Sequence, residues 1–489
     1  MIKRPTVYAI TFVTLFLLNC TNDSGGDAGP EVPSGEYLGE VRPGLKPVVF
    51  SPDFVSSPDG RERDVTFTPD MQELYFTRNA TIMVTRQVDG IWTEPDTASF
   101  SGDYQEFEAH VSPDGQRLYY ISRRPLSGEG DPEAFQLWFV ERTGDSWGEP
   151  KRLTDEGDYY PTITNDGEFY LTGIEQDLFR VELLGDSLGE RVNLGDSINT
   201  ERGEYNACIA PDGSYILFTS GGWGVGFGDA DLYVSFRKED GSWTTPKNMG
   251  PGINSSARDY CPSVTRDGRY MFFSSLRNDA YDLYWVDAEI IQRLRTEDLH
   301  LAERLYQEAT QKDLTAVRGA YSSMQKEYAE YCDFNGDLLN GLSDRLLTDG
   351  NLEAAADALR LLFELHPSSE SLTRKLKLAL VSRDDELFNE TAVNLKRSDS
   401  DLAATDEAAL NILGYNLLWN AEADAALKVF ALNTELFPTS ANVYDSYGEG
   451  LLATGDTTGA IENYRHSLTL NPDNQNAVDV LQNLGVNTP

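Results

Sequence analysis

A tight-turn motif recurs five times in the first 290 residues, and it constrains the fold more than any other feature. The turn aspartates, separated by 44, 52, 46 and 55 residues, are Asp70, Asp114, Asp166, Asp212 and Asp267. Each turn precedes a short aromatic or β-branched run, such as residues 74–76 and 271–273, which is typical of a buried strand. Repeats of this length with several short strands are typical of propeller blades. The sequence therefore predicts an all-β part, a β-propeller with five legible blades.

The outermost strand of most units is marked by a tryptophan followed three residues later by proline, at Trp92, Trp147 and Trp243. Because proline lacks an N–H donor, it belongs on an edge strand. The third unit has only residues 188–191 at this place, which we interpret as a degenerate copy. No outer strand follows the fifth unit, so we expect residues 47–50, before the first unit, to complete it and close the ring.

These units resemble the PD40 (WD40-like, TolB-like) propeller repeats of bacterial envelope proteins, over residues 46–290. The resemblance rests on the Pro-Asp-Gly-like turn that recurs in register. Propellers of this type usually have six blades, so the resemblance leaves a sixth blade open beside the five legible ones.

The C-terminal part has a helical pattern. Residues 407–440 and 441–474 place small, apolar and proline residues in a 34-residue register, with Gly414 and Gly448 at the same position. This register resembles that of tetratricopeptide (TPR) repeats. A weaker copy begins near Gly336, and one more helix pair fits between Pro367 and Pro438. We therefore expect a TPR-like array over 336–489, with a helical connector over 291–335.

The N-terminus carries a targeting pattern. Two basic residues precede an apolar stretch, residues 7–18, that is too short to span a bilayer. Cys20 follows at the spacing of a bacterial lipoprotein box, which this segment resembles. The resemblance implies a signal peptide over 1–19 and a lipid on Cys20; an ordinary signal with an incidental cysteine is the alternative. Residues 20–45, rich in Gly, Asp, Pro and Ser, are interpreted as a flexible tether.

Composition argues against several functions. The net charge of −40 argues against nucleic-acid binding, which needs clustered Lys and Arg. Four histidines, of which only His110 lies in the propeller, argue against a histidine-rich lyase metal site. No P-loop, dinucleotide fingerprint or serine-hydrolase elbow is present, and we interpret the glycine-rich residues 221–228 as a blade loop. We therefore expect no enzyme activity and no cofactor. Cys208 and Cys261 are either buried thiols, which we favour, or a disulfide.

An acidic residue recurs at one position of all five units, and its repetition indicates a role beyond packing. Eight residues before each turn aspartate, all five units carry an acid: Glu62, Glu106, Asp158, Glu204 and Asp259. The next position carries Arg63 in the first unit and aromatic residues in the others. If the first strand of each blade lines the channel, the acids form a ring at its mouth. They are then either blade-to-blade latches, each accepting backbone N–H groups or an arginine of the neighbouring blade, which we favour, or a site for a metal ion or for a lysine or N-terminal amine of a peptide.

Together these patterns predict a multidomain protein, all-β and then all-α, that is lipid-anchored in the bacterial envelope, facing the periplasm or the cell surface. We expect a non-catalytic scaffold that binds envelope proteins or peptides. The alternative is a propeller that binds or cleaves extracellular polysaccharide or peptide.

Overall fold

The computed structural model describes residues 33–486 except 59, 126–133, 155–156, 202, 222–229, 256, 278–280, 297–300, 335, 368–371, 398–403 and 421. Within these ranges the chain forms a ring of antiparallel sheets followed by an array of helices. Cys20 and nearly all of the glycine-rich loop lie outside the described residues. Among the residues that are described, no helix is both long and apolar enough to cross a membrane.

The described part contains five sheets, which confirms the five-bladed propeller. Within each blade, consecutive strands pair with one another, and the first strand contacts the first strands of both neighbouring blades. The first strands therefore surround the channel. Their bounds are β2 (Glu62–Phe67), β7 (Glu106–Val111), β12 (Tyr159–Ile163), β16 (Glu204–Ile209) and β20 (Asp259–Val264). The second strands are β3 (Glu73–Arg78), β8 (Arg117–Ser122), β13 (Phe169–Thr172), β17 (Tyr215–Ser220) and β21 (Tyr270–Ser275), and the third strands are β4 (Thr81–Val88), β9 (Gln136–Thr143), β14 (Leu178–Leu184), β18 (Asp231–Phe236) and β22 (Asp282–Asp287).

The ring closes as predicted. The N-terminal strand β1 (Val48–Val49) pairs antiparallel with β22 as the outer strand of the fifth blade. The next residue, Phe50, donates its N–H to Leu283 at 2.7 Å. Its ring is fully buried and packs on the rings of Phe272 and Trp285, at centroid distances of 5.0 and 5.2 Å.

The outer strands differ from the prediction in the third blade. Where a proline follows the tryptophan, pairing is broken into short pieces: β5 (Ile91–Trp92), β6 (Asp96–Thr97), β10 (Ser146–Trp147), β11 (Lys151–Arg152) and β19 (Lys247–Asn248). The supposedly degenerate third unit instead forms the continuous seven-residue strand β15 (Ser187–Asn193). Its segment has no proline, so no ladder donor is missing, and pairing with β14 extends from Ser187 to Asn193 with one register shift between Leu188 and Arg191.

Residues 33–45, predicted as part of the tether, lie against the propeller. Tyr37 is buried, and its ring contacts those of Tyr270 and Phe67 at 4.9 and 5.5 Å. The Trp92 indole donates to the carbonyl of Gly35 at 2.7 Å. These contacts make the second half of the predicted tether a packed arm, because its single aromatic side chain enters the groove between the first and fifth blades.

The C-terminal helices are paired as the TPR-like register predicts. Three hairpins match the three predicted copies, and α6–α7 supplies the additional pair. The bounds are α1 (Glu289–Thr296), α2 (Leu301–Gln311), α3 (Leu314–Glu327), α4 (Asp337–Thr348), α5 (Leu352–Leu365), α6 (Leu372–Val381), α7 (Asp385–Arg397), α8 (Ala404–Trp419), α9 (Ala423–Leu436), α10 (Ala441–Ala453), α11 (Thr457–Leu470) and α12 (Gln475–Asn483).

The helices begin directly on the propeller. The Lys247 ammonium of the fourth blade donates to the carbonyl of Leu294 in α1 at 2.7 Å. The backbone of Gly252 in the propeller lies close to that of Tyr331 in the helical part: a Cβ atom added to Gly252 would lie 2.4 Å from the carbonyl oxygen of Tyr331. One hydrophobic core runs from the fourth and fifth blades into the helices up to α9, so the two parts share buried surface.

Candidate functional site: the propeller channel

The five predicted acids lie at the start of the first strands. Glu62, Glu106, Glu204 and Asp259 are the first residues of their strands, and Asp158 directly precedes β12. All five side chains are fully buried. Burial of a carboxylate is costly unless donors surround it, so the identity of those donors decides what the acids do.

Among the described residues, Glu62, Glu106, Asp158 and Asp259 pair with an arginine of their own blade. Near the end of the second strand, Arg78, Arg124 and Arg277 contact Glu62, Glu106 and Asp259 at 2.6, 3.3 and 2.7 Å. Asp158 pairs instead with Arg191 of the outer strand β15, at 2.5 Å.

The acids also bind the loop that enters each blade. Glu106 accepts the N–H of Gly102 at 3.1 Å, and Asp259 accepts that of Ser255 at 2.6 Å. Glu204 accepts both the N–H and the hydroxyl of Thr200, at 2.6 and 2.7 Å. These carboxylates, together with Glu62, which accepts the hydroxyl of Ser57 at 2.7 Å, therefore join the entering loop to its blade. The donors named here belong to the same unit, whereas the latch interpretation expected donors from the neighbouring blade. Among the described residues, no three His, Cys, Asp or Glu side chains are grouped so that they would hold a metal ion.

The channel is lined by a different set of residues, two positions after each acid. These are Asp64, Glu108, Tyr160, Asn206 and Cys261. All five have positive φ, between 52° and 63°, and each lies where the register between the first and second strands shifts. Such β-bulges bend a strand and redirect side chains. The sequence analysis missed this set, because its residue types share no pattern.

Two of these residues form a buried charged cluster with Arg63. The Arg63 guanidinium contacts the carboxylates of Asp64 at 2.9 Å and Glu108 at 2.6 Å. Glu108 also accepts the N–H of Tyr160 at 2.7 Å. Only 3% and 5% of Asp64 and Glu108 are exposed, and the cavity beside them measures about 10 Å³. This volume is no larger than one water molecule requires.

Burial and charge have opposite effects within this cluster. Burial raises the pKa of Glu108 to about 7, although the nearby Arg63 opposes the rise. Burial alone would lower the pKa of Arg63, but Asp64, Cys261 and Glu108 outweigh it and hold that pKa well above its ordinary value. Arg63 is therefore always charged, whereas Glu108 titrates near neutral pH.

The other end of the channel is filled by Arg266. Its guanidinium donates to the carbonyls of Ile163 at 2.6 Å and Val111 at 2.8 Å, and it lies 3.0 Å from Nε2 of His110. Burial and this neighbouring cation hold the pKa of His110 well below its usual range. The propeller histidine is thus part of the channel packing.

The remaining predicted residues have structural surroundings. Turn aspartates such as Asp70 and Asp114 accept a hydroxyl of their own turn at 2.6 Å, as their assignment to turn structure predicts. Cys208, Cys261 and Cys332 are buried free thiols.

Comparison with known proteins gives remote likenesses. No protein-family model matches the chain, and no curated protein matches it. A candidate TolB from Agrobacterium tumefaciens is 18% identical over 46% of this chain and 76% of that one, with a TM-score of 0.34. YrrB, described as a TPR protein with an unusual peptide-binding site, is 16% identical over 40% and 96%, with a TM-score of 0.20. A thermostable family-43 glycoside hydrolase is 12% identical over 47% and 91%, with a TM-score of 0.33. At such scores the likenesses carry no argument about ligands or activity.

Proposed function

We propose that this protein is a non-catalytic scaffold that binds proteins or peptides in the bacterial envelope. One observation supports the non-catalytic part most directly: the propeller channel is filled by the protein's own side chains. Arg63 forms ion pairs with both channel carboxylates, and the cavity beside them, about 10 Å³, is far below the roughly 300 Å³ or more of a small-molecule site.

The latch role of the five acids belongs to the same proposal. Each carboxylate has donors of its own blade or entering loop, such as Arg124 and Gly102 for Glu106. A cation would have to displace these donors from a fully buried position. The propeller is then a rigid platform, and binding belongs to the helical array, since stacked helix pairs present extended surfaces to partners.

Cross-linking in envelopes, followed by purification of the full-length protein from detergent, tests this function. We expect a stoichiometric protein partner, and no hydrolysis of aryl glycosides or peptides by the purified protein. If no cross-linked partner is recovered in an experiment that is sensitive enough to detect a stoichiometric complex, the scaffold function is contradicted.

A glycan-cleaving propeller is the second candidate, because one observation favours it. Asp64 and Glu108 are two carboxylates on adjacent blades, and the raised pKa of Glu108 suits a general acid. Hydrolysis of an aryl glycoside by wild type that is lost in both Asp64→Asn and Glu108→Gln would replace the scaffold proposal with this one.

A further inference from the structure

Helix α8 has apolar side chains on two opposite faces. Leu410, Leu413 and Leu417 are buried in the array. On the other side, Ile412 is 56% exposed and Trp419 is 75% exposed. A helix that is apolar all round is normally buried on every side, so the exposed face of α8 is unusual for a surface helix.

The exposed tryptophan is held in place by its neighbours. The ring of Tyr415 lies one turn before Trp419 and stacks on it, with centroids 5.7 Å apart and an interplanar angle of 28°. Tyr415 in turn packs edge-on against the buried Phe430 at 5.2 Å. Trp419 therefore presents a supported aromatic surface to solvent.

Carboxylates without a cationic partner lie beside these rings. Tyr415 donates its hydroxyl to Glu449 of α10 at 2.9 Å, and Asp445 lies one turn earlier on the same helix. Asp445 accepts amide donors from Asn474 at 2.9 Å and Asn476 at 2.8 Å. Within the described residues neither acid forms an ion pair. Residues 408–489 contain nine Asp or Glu and two Lys or Arg, so the surroundings are acidic.

We propose that Ile412, Tyr415, Trp419, Asp445 and Glu449, named here the α8 face, bind a partner segment in which Lys or Arg stands beside apolar residues. The proposal rests on the scaffold function above and names the chemistry of its partner. Apolar side chains of the segment cover Ile412, while its cation packs on the face of Trp419 and is attracted by the two carboxylates. An acidic segment is repelled by the same carboxylates.

Calorimetric titration of the full-length protein with three synthetic peptides tests this chemistry. One peptide alternates pairs of Lys and Leu, the second replaces Lys by Glu, and the third replaces Leu by Ser. We expect measurable binding of the Lys-Leu peptide alone, with an affinity that falls as salt is added.

Two matched pairs of variants locate the binding. Trp419→Ala is expected to weaken the binding of the Lys-Leu peptide at least about fivefold, the order expected when a partly desolvated cation–π contact is lost. Its control, Ile174→Ala, removes an apolar residue that is 73% exposed on the propeller and should change nothing. Glu449→Gln keeps an acceptor for Tyr415 but removes the charge, so it should weaken binding and its salt dependence. Its control is Glu364→Gln, an exposed acid already paired with Arg318.

The outcomes separate this inference from the scaffold function. Equal binding of the Glu-Leu peptide, no binding of the Lys-Leu peptide, or binding unaffected by Trp419→Ala overturns the α8 face. If the envelope cross-linking still yields a stoichiometric partner, the scaffold function stands without this face. If that experiment also fails, both proposals are rejected.

Discussion

At the scale of single residues, two positions in the first strand of each blade have different roles: one binds the entering loop, and the other, two residues later, lines the channel. The acid at the start of the strand binds the entering loop, as Glu106 binds Gly102. The bulged residue two positions later points its side chain at the channel. Left-handed backbone at a residue other than glycine is uncommon, and here it recurs in every blade. Internal hydrogen bonds offset its cost, such as those that Asn206 accepts from Thr219 at 3.2 Å and from the N–H of Cys261 at 3.3 Å.

The latch role predicts a stability loss in Glu106→Gln. The change removes the charge that faces Arg124 in a buried position, so we expect unfolding to become easier by about 2–4 kcal/mol. The measurement is chemical denaturation of the full-length protein. Glu94→Gln is the control, because Glu94 is an exposed acid of the preceding blade, and it should stay within about 0.5 kcal/mol of wild type. Equal stability of both variants would contradict the latch.

The raised pKa of Glu108 predicts a pH-dependent effect of Glu108→Gln. The folded state binds the Glu108 proton more tightly than the unfolded state, so this group favours folding at low pH and loses that contribution as pH rises towards about 7. Glutamine mimics the protonated acid. We therefore subtract the melting temperature of wild type from that of the variant, and we expect this difference to be more positive at about pH 8 than at about pH 5. His110 titrates in both proteins and cancels in this comparison. A constant difference would contradict the raised pKa.

At the scale of elements, two of the helical pairs, α8–α9 and α10–α11, have a glycine where one helix meets an aromatic side chain of the other. A Cβ atom at Gly414 would lie 2.4 Å from the ring of Phe430, and one at Gly448 would lie 3.1 Å from that of Tyr464. The register that identifies both glycines is the same, but the space beside Gly414 is tighter than that beside Gly448. The difference arises from the two aromatic side chains and their orientation, which the repeat pattern does not specify.

This closeness predicts opposite effects of the same substitution in two helices. Gly414→Ala should destabilise the protein by about 1–3 kcal/mol through overpacking. Gly319→Ala in α3 is the control, since no atom lies within 4 Å of its added Cβ, and it should stabilise by about 0.5–1 kcal/mol. Thermal unfolding of both variants provides the test. If the Gly414→Ala protein is as stable as the Gly319→Ala protein, the predicted overpacking is contradicted, because α8 and α9 then accommodate the added methyl group at no cost in stability.

At the scale of the whole molecule, the propeller and the helical array are joined by a shared core and bounded by an N-terminal arm. Within the described residues the carbonyl of Pro33 accepts the N–H of Trp92 at 2.9 Å, and the contacts that hold the arm on the blades are described for residues 33–45. Anchoring and folding are thus expected to be separable.

The lipoprotein-box resemblance predicts that Cys20→Ser moves the protein from the membrane fraction to the soluble fraction. We expect its melting temperature to be unchanged, because the described contacts that hold the arm on the blades are made by residues 33–45. Cys332→Ser, a change at a buried thiol of the helical connector, is the control and should leave the protein with the membranes. Sedimentation and immunoblotting of both variants measure this. A Cys20→Ser protein that still sediments like wild type would contradict lipid anchoring.

The sequence by itself determined the blade register, the closure by β1 and the helix pairs. Each depends on local chemistry: hydroxyl-to-aspartate turns such as Ser112–Asp114, prolines on outer strands, and a 34-residue helical repeat. The turns and helix pairs span few residues or repeat at fixed intervals, so a pattern along the chain is sufficient to find them. The closure pairs distant residues, Val48 with Trp285, and was predictable because the fifth unit lacks an outer strand of its own.

Only the tertiary structure decided which side chains occupy the channel and whether a ligand could contact them. Arg63 contacts residues 45 and 198 positions away in the chain, Glu108 and Cys261. The acids at the strand starts repeat in type because each meets the same local loop, so their pattern is visible in the sequence. The bulged residues meet at the centre of the ring, where each has different neighbours, and they therefore need not be alike. Their burial and their charge balance arise only when all five blades are in contact.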